Sequence, residues 1–318
     1  EKRDTEKLKS YYMESLPVLQ ESFYMALLEG RVAARQIGKY AKDYQVNLSA
    51  PYYVVTVLHI STQSLPEEER EDPFLLAMAV KKYAEEQVDE RWNSRFVIYL
   101  GDIIMISQLQ EKDDLIAYTD EMDRLCRMAR KVCNARATAG IGYLCDSLEQ
   151  IPFSYQGAKQ AVSYRVLYGN TRSISISEVE PGETAELQRV DAYADLIQRI
   201  IKKIRVGEEN VLQEAIHDFI QWLNEAHLSM QNYRIVMMEL ISELVRFAAG
   251  HDLSIDNVSG TGTAAYHQAL QMESTEALEK WLLDLCRHLQ REVLHERQDS
   301  TKSFVQSAEE YVKTNYAD

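Results

Sequence analysis

Apolar residues recur with different periods along the chain, and the changes of period divide it. Near the start, Leu8, Tyr12, Leu16, Leu19, Phe23 and Ala26 step by four, four, three, four and three, with Leu27 beside Ala26. That is a heptad-like seam on a helix over about 1–30. Pro17 interrupts it and predicts a kink or a new start, and Gly30 predicts the stop. So short a seam serves either packing onto its own domain or a dimerising coiled coil, and the spacing leaves both open.

After a short helix over 31–44 the period changes. Residues 51–60, Pro-Tyr-Tyr-Val-Val-Thr-Val-Leu-His-Ile, are β-branched, aromatic and almost continuously apolar. This predicts a central strand covered on both faces. A helix follows over 73–89. Residues 95–100 and 103–107 are two short apolar runs around Gly101-Asp102, the pattern of a hairpin. A helix over 112–134 leads to a strand at 136–143, although Gly140 and Gly142 weaken that strand. Ser147 and Gln150 form a capping-box pattern, and Pro152 predicts that the next helix starts near Ser154 and runs to Tyr168. Ser173 to Ile176 alternate as a half-exposed last strand. From Pro181-Gly182 onward nearly everything has helical period, over 184–206, 208–227, 230–250, 273–296 and 303–316, with a loop at 251–263.

The expected fold class is therefore α+β followed by an all-α region. Four segments are expected: a helical connector (1–45), a mixed domain (46–180), a helical domain (181–300) and a terminal segment (301–318).

Charge narrows the function. With 50 acidic against 35 basic residues the net charge is −15. Phosphate backbones attract Lys and Arg, so this chain by itself is a poor nucleic-acid binder. Its best basic cluster, Lys202-Lys203-Ile204-Arg205, reads as a solvated helix face. No apolar run reaches membrane-span length, and the charged first residues read as no signal peptide. Cys126, Cys133, Cys145 and Cys286 form no C-x-x-C pair. They read as buried free thiols, which fits a cytoplasmic protein.

The order strand, helix, hairpin, helix, strand, helix, strand over about 50–178 resembles the GGDEF domain of diguanylate cyclases, in the degenerate form found inside bacterial transcription regulators. The resemblance implies a ferredoxin-like sheet with helices. It aligns Leu100-Gly101-Asp102-Ile103-Ile104 with the Gly-Gly-Asp-Glu-Phe hairpin that binds nucleotide phosphate and metal in active members. Thr138 to Gly142 resemble the family's Ser-Ile-Gly strand, with Gly140 on its glycine, and Gln156 to Ala161 resemble its last helix. The departures matter. Leu100 replaces a glycine, Ile103 stands where the catalytic glutamate would be, and His59 to Thr62 supply no metal-binding aspartate. Phosphoryl transfer needs carboxylate-held metal to neutralise developing charge. The chain is thus expected to be no enzyme and to need no cofactor, with Asp102 left as a turn residue.

Two terminal segments carry a second resemblance. Residues 14–30 look like the segment that follows the receiver domain in AraC-type response regulators. Tyr311-Val312-Lys313-Thr314-Asn315-Tyr316-Ala317-Asp318 resembles the first helix of the AraC-type DNA-binding domain. This implies the middle of a two-component transcription regulator, which is expected to dimerise and to reach DNA only through a domain beyond residue 318, with an upstream receiver or sensor. A small-molecule-sensing region of a ligand-controlled or membrane-anchored AraC-type regulator is the alternative. Other candidate chemistry is thin. The seven histidines form no metal-ligand pair, no nucleotide-binding glycine loop follows a strand, and Trp92, Trp222 and Trp281 read as core.

Overall fold

The computed structural model describes residues 2–61, 72–180, 191–207, 209–251, 253 and 262–315. The chain divides into two compact units, Glu1–Glu180 and Pro181–Asp318.

In the first unit, β1 (Tyr52–Ser61), β2 (Arg95–Tyr99), β3 (Asp102–Leu109), β4 (Arg136–Ile141) and β5 (Ser173–Ser175) form one sheet in the order β2-β3-β1-β4-β5. All neighbours are antiparallel except β4 and β5. This is a ferredoxin-like sheet extended by a fifth, parallel strand. β1 lies at its centre, and Val54, Val55, Val57 and Leu58 are all at most 1% exposed. That is why β1 reads as unbroken apolar sequence rather than as an alternation.

Helices cover both faces. α3 (Pro73–Gln87) and α4 (Asp114–Val132) pack on the face of Val54, Leu58, Ile103 and Met105. α1 (Lys2–Leu28), α2 (Ala34–Asp43) and α5 (Ile151–Ser163) cover the face of Val55, Val57, Val97 and Ile104. α6 (Arg165–Tyr168) and α7 (Ile176–Val179) are single turns. α1 runs through Pro17 and ends in a Schellman motif, in which Arg31 N–H bonds the Ala26 carbonyl and Gly30 N–H bonds the Leu27 carbonyl. Gly30 has a φ of +70°, which glycine adopts without steric cost.

The glycines that blur the β4 pattern have a packing reason. A Cβ on Gly140 would lie 2.3 Å from the Ala158 carbonyl oxygen, and one on Gly142 only 1.9 Å from that of Ser154. Helix α5 therefore rests directly on the strand backbone. Ser154 Oγ also accepts the Val55 N–H at 2.9 Å.

Several boundaries differ from the sequence reading. α5 starts at Ile151, because Pro152 fits the first turn, where a missing N–H costs nothing. It stops at Ser163, short of Tyr168. Ser147 makes no side-chain cap; Gln150 instead accepts from the Asp146 N–H.

The second unit is helical as far as it is described: α8 (Asp191–Val206), α9 (Glu209–Glu225), α10 (Met230–Ala249), α11 (Gly262–Leu270) and α12 (Thr275–Asn315). Its core includes Ile200, Ile204, Phe219, Tyr233, Leu240, Leu282 and Leu289. α11 begins at Gly262, inside the stretch whose glycines predict a loop over 251–263; most of that loop (Ser254, Ser259 and Gly260 included) lies outside the described residues. α12 merges the two expected terminal helices, since residues 297–302 contain neither glycine nor proline to break it. Among the described residues no helix is long and apolar enough to cross a membrane.

Candidate functional site

The hairpin between β2 and β3 closes on two residues, Leu100 and Gly101, with φ of +52° and +89°. Positive φ at both central positions matches the right-handed twist of the flanking strands. Gly101 adopts this freely, whereas Leu100 pays a steric cost for it and leaves its side chain 85% exposed at the tip.

Beyond the tip the residues alternate between faces. Asp102 and Ile104 face α5, whereas Ile103 faces the α3 and α4 core, where it is fully buried. Asp102 has acquired a partner: its Oδ1 lies 2.7 Å from His59 Nδ1 at the end of β1. Both side chains are about a quarter exposed. The sequence assigns Asp102 only a turn role and His59 no ligand role, and no local spacing joins the two. Their meeting depends on the β1–β3 register, which pairs Leu58 with Ile103 and so sets His59 beside Asp102.

The pair belongs to a polar row across this sheet face. Tyr99 pairs with Asp102 on β2, and Thr138 pairs with His59 on β4. The Tyr99 hydroxyl donates to Glu29, just past α1, and Arg31 ion-pairs with the same carboxylate. Glu29 is held below its ordinary range, first by the Tyr99 hydrogen bond and then by Arg31. Tyr99 is pushed up, chiefly by that same hydrogen bond. Tyr155 of α5 is raised to about 12, mainly by burial and further by Tyr99, Asp102 and Glu29. Thr138 Oγ1 is buried without a hydrogen-bond partner among the described residues.

Residues 29–164 match the GGDEF-like domain family. The match spans α2 to α5 and contains the hairpin, His59 and Tyr155. No curated protein and no solved structure matches the chain. Within the GGDEF-like domain the hairpin offers one carboxylate, with one oxygen already engaged by an imidazole. Among the described residues no three His, Cys, Asp or Glu side chains come together to hold a metal. Thr62, the last residue of the segment that lacks a metal-binding aspartate, lies outside the described residues.

The seam residues separate. Phe23 and Leu27 are buried in the core of the GGDEF-like domain, and Leu16 is also buried. Leu19 and Ala26 are half-buried, Tyr12 is exposed, and the Leu8 side chain lies outside the described residues. Packing thus claims the C-terminal half of the seam.

The remaining candidates are structural. Trp92 is buried edge-on to Tyr118 and donates to Glu121 at 2.7 Å. Burial raises the thiols of Cys126 and Cys145 to about 12 and about 11, and raises Cys133 and Cys286 as well. None of them is an activated thiolate. His217 pairs with Glu279 at 3.0 Å.

Proposed function

We propose that this chain is the non-catalytic, signal-transmitting region of an AraC-type two-component transcription regulator. The observation that carries the reading is the hairpin: Ile103 is turned into the core and Asp102 is tied to His59, so the family's phosphate-and-metal loop serves here as a structural corner. In this reading α1 connects an upstream receiver or sensor to the GGDEF-like domain, and homodimer contacts use its exposed side, where Tyr11, Tyr12 and Val18 lie. α12 provides the output. Its 41 residues form a rod of roughly 60 Å at 1.5 Å per residue. The rod leads into the residues that resemble the start of a DNA-binding domain, so a change at its base is carried to its tip. A differential stabilisation of a few kcal/mol between two arrangements suffices to switch occupancy.

Three measurements test this. Incubation with GTP and magnesium should give no cyclic dinucleotide above background, and product formation overturns the non-catalytic half. Sequencing the intact gene on both sides should show about 100 basic, helix-rich residues after Asp318. Their absence overturns the regulator half. Light scattering should give twice the monomer mass, and Val18→Glu should halve it.

A further inference from the structure

One buried carboxylate sets the spacing of α3 and α4. Glu121 of α4 is 7% exposed. Its Oε1 accepts the Asp89 N–H at 2.7 Å, just past the end of α3, and its Oε2 accepts the Trp92 Nε1–H at 2.7 Å. Trp92 is itself buried edge-on to Tyr118. The chain leaving α3 is therefore pinned to α4 by two charge-assisted hydrogen bonds, and the two helices cannot close further at this end. Between them lies a cavity of about 320 Å³, at the lower end of the range for small-molecule sites, about 300–1,000 Å³. Tyr83 and Val88 line it from the α3 side, and Leu125 and Met128 from α4. Leu125 is buried and the other three are half-buried, so the walls offer apolar surface to an occupant.

We infer that this cleft binds a small amphipathic anion, whose apolar body lies between α3 and α4 and whose carboxylate or sulfonate end sits against Arg124. Arg124 lines the cleft, is exposed, and makes no hydrogen bond or ion pair among the described residues. Its guanidinium offers a fork of N–H donors that matches the oxygens of such an anion. Lys131, seven residues on and so on the same side of α4, is exposed and also without an ion pair among the described residues. The carboxylates nearby are placed differently. Glu121 is charged, but each of its oxygens already takes an N–H, and it forms no ion pair with Arg124. Asp123 is held by Arg127 at 2.5 Å and by the Ser173 N–H at 3.1 Å. Asp120 and Glu86 are exposed, pair with neither cation and lie outside the lining. The one unengaged charge in the cleft wall is therefore positive. The cleft lies wholly within the GGDEF-like domain, so binding there is independent of any regulator role.

The test titrates the whole chain with anilinonaphthalene sulfonate and reads the fluorescence of the probe. Saturable binding at a single site is expected. Arg124→Gln should weaken it by about fivefold, between an exposed ion pair and a desolvated one. Uncharged phenylnaphthylamine should bind more weakly than the sulfonate and should not respond to Arg124→Gln. Filling the cleft with Met128→Trp, or with Gln87→Trp at its rim, should remove both probes while far-UV dichroism stays unchanged. Gln87 is exposed, so its replacement keeps the test decisive even if Met128→Trp unfolds the domain. Sulfonate binding that survives the tryptophan variants places the probe elsewhere and overturns the proposal, as does an absence of saturable binding. Equal binding of the two probes with no effect of Arg124→Gln also overturns it, because the cleft then has no preference for an anion.

Discussion

Restoring the family's hairpin residues should damage this protein rather than revive a cyclase. The perturbation is Leu100→Gly with Ile103→Glu. At position 100, glycine relieves roughly 1 kcal/mol of left-handed strain, and its extra unfolded-state entropy takes back about 0.5–1 kcal/mol. That change is near neutral. Position 103 decides the outcome. Ile103 is fully buried between sheet and α4, in one cluster with Leu58, Met105 and Tyr118. Removing its side chain forfeits about 1.5–3 kcal/mol of burial. An unpaired carboxylate there costs several kcal/mol more, whether it stays ionised or takes up a proton. The sum, about 5 kcal/mol or more, approaches the whole stability of an ordinary domain. Strand alternation also points residue 103 away from Asp102, so the two carboxylates cannot converge. Urea denaturation followed by far-UV dichroism measures the loss, with Ile103→Val as a control expected to cost about 1 kcal/mol. A double variant that keeps wild-type stability, or makes cyclic dinucleotide from magnesium and GTP, would refute the reasoning.

Two further outcomes follow from the packing. Tyr118 is fully buried, bonded to Thr56 and Ser107, and its hydroxyl is raised from 10.0 to about 12. The folded state therefore holds this proton more tightly than the unfolded state. The resulting stability is complete below pH 10 and is lost as pH rises through about 12, a change of roughly 3 kcal/mol. Tyr118→Phe should remove its share of the alkaline decline in urea midpoints, the other buried tyrosines and thiols keeping theirs, and an unchanged slope would count against the assignment. Gly142→Ala should cost about 2–4 kcal/mol, since α5 must retreat from the strand and the Val55–Ser154 bond suffers. Gly38→Ala, in open space on α2, should stabilise by about 0.5–1 kcal/mol, and equal effects at the two sites would refute the close-approach argument.

The sequence by itself determined the elements and much of their burial. The unbroken apolar run of β1 announced a strand covered on both sides, and the hairpin, α4 and the helical second half were legible from local period. These are properties of near neighbours along the chain, where spacing alone decides which side chains share a face. It also carried the departures at Leu100 and Ile103, because a substituted residue is visible without a fold. Only the tertiary structure decided the rest. The His59–Asp102 pair and the Glu29–Tyr99 bond both depend on which strand lies beside which, and in what register. Register follows from the summed packing of both sheet faces and is written in no single segment. The glycines of β4 looked like weakness in the sequence and became contact surface once α5 was in place. The N-terminal seam had two uses open to it, and the sheet face nearby claimed Phe23 and Leu27, because burial there was available within the same chain.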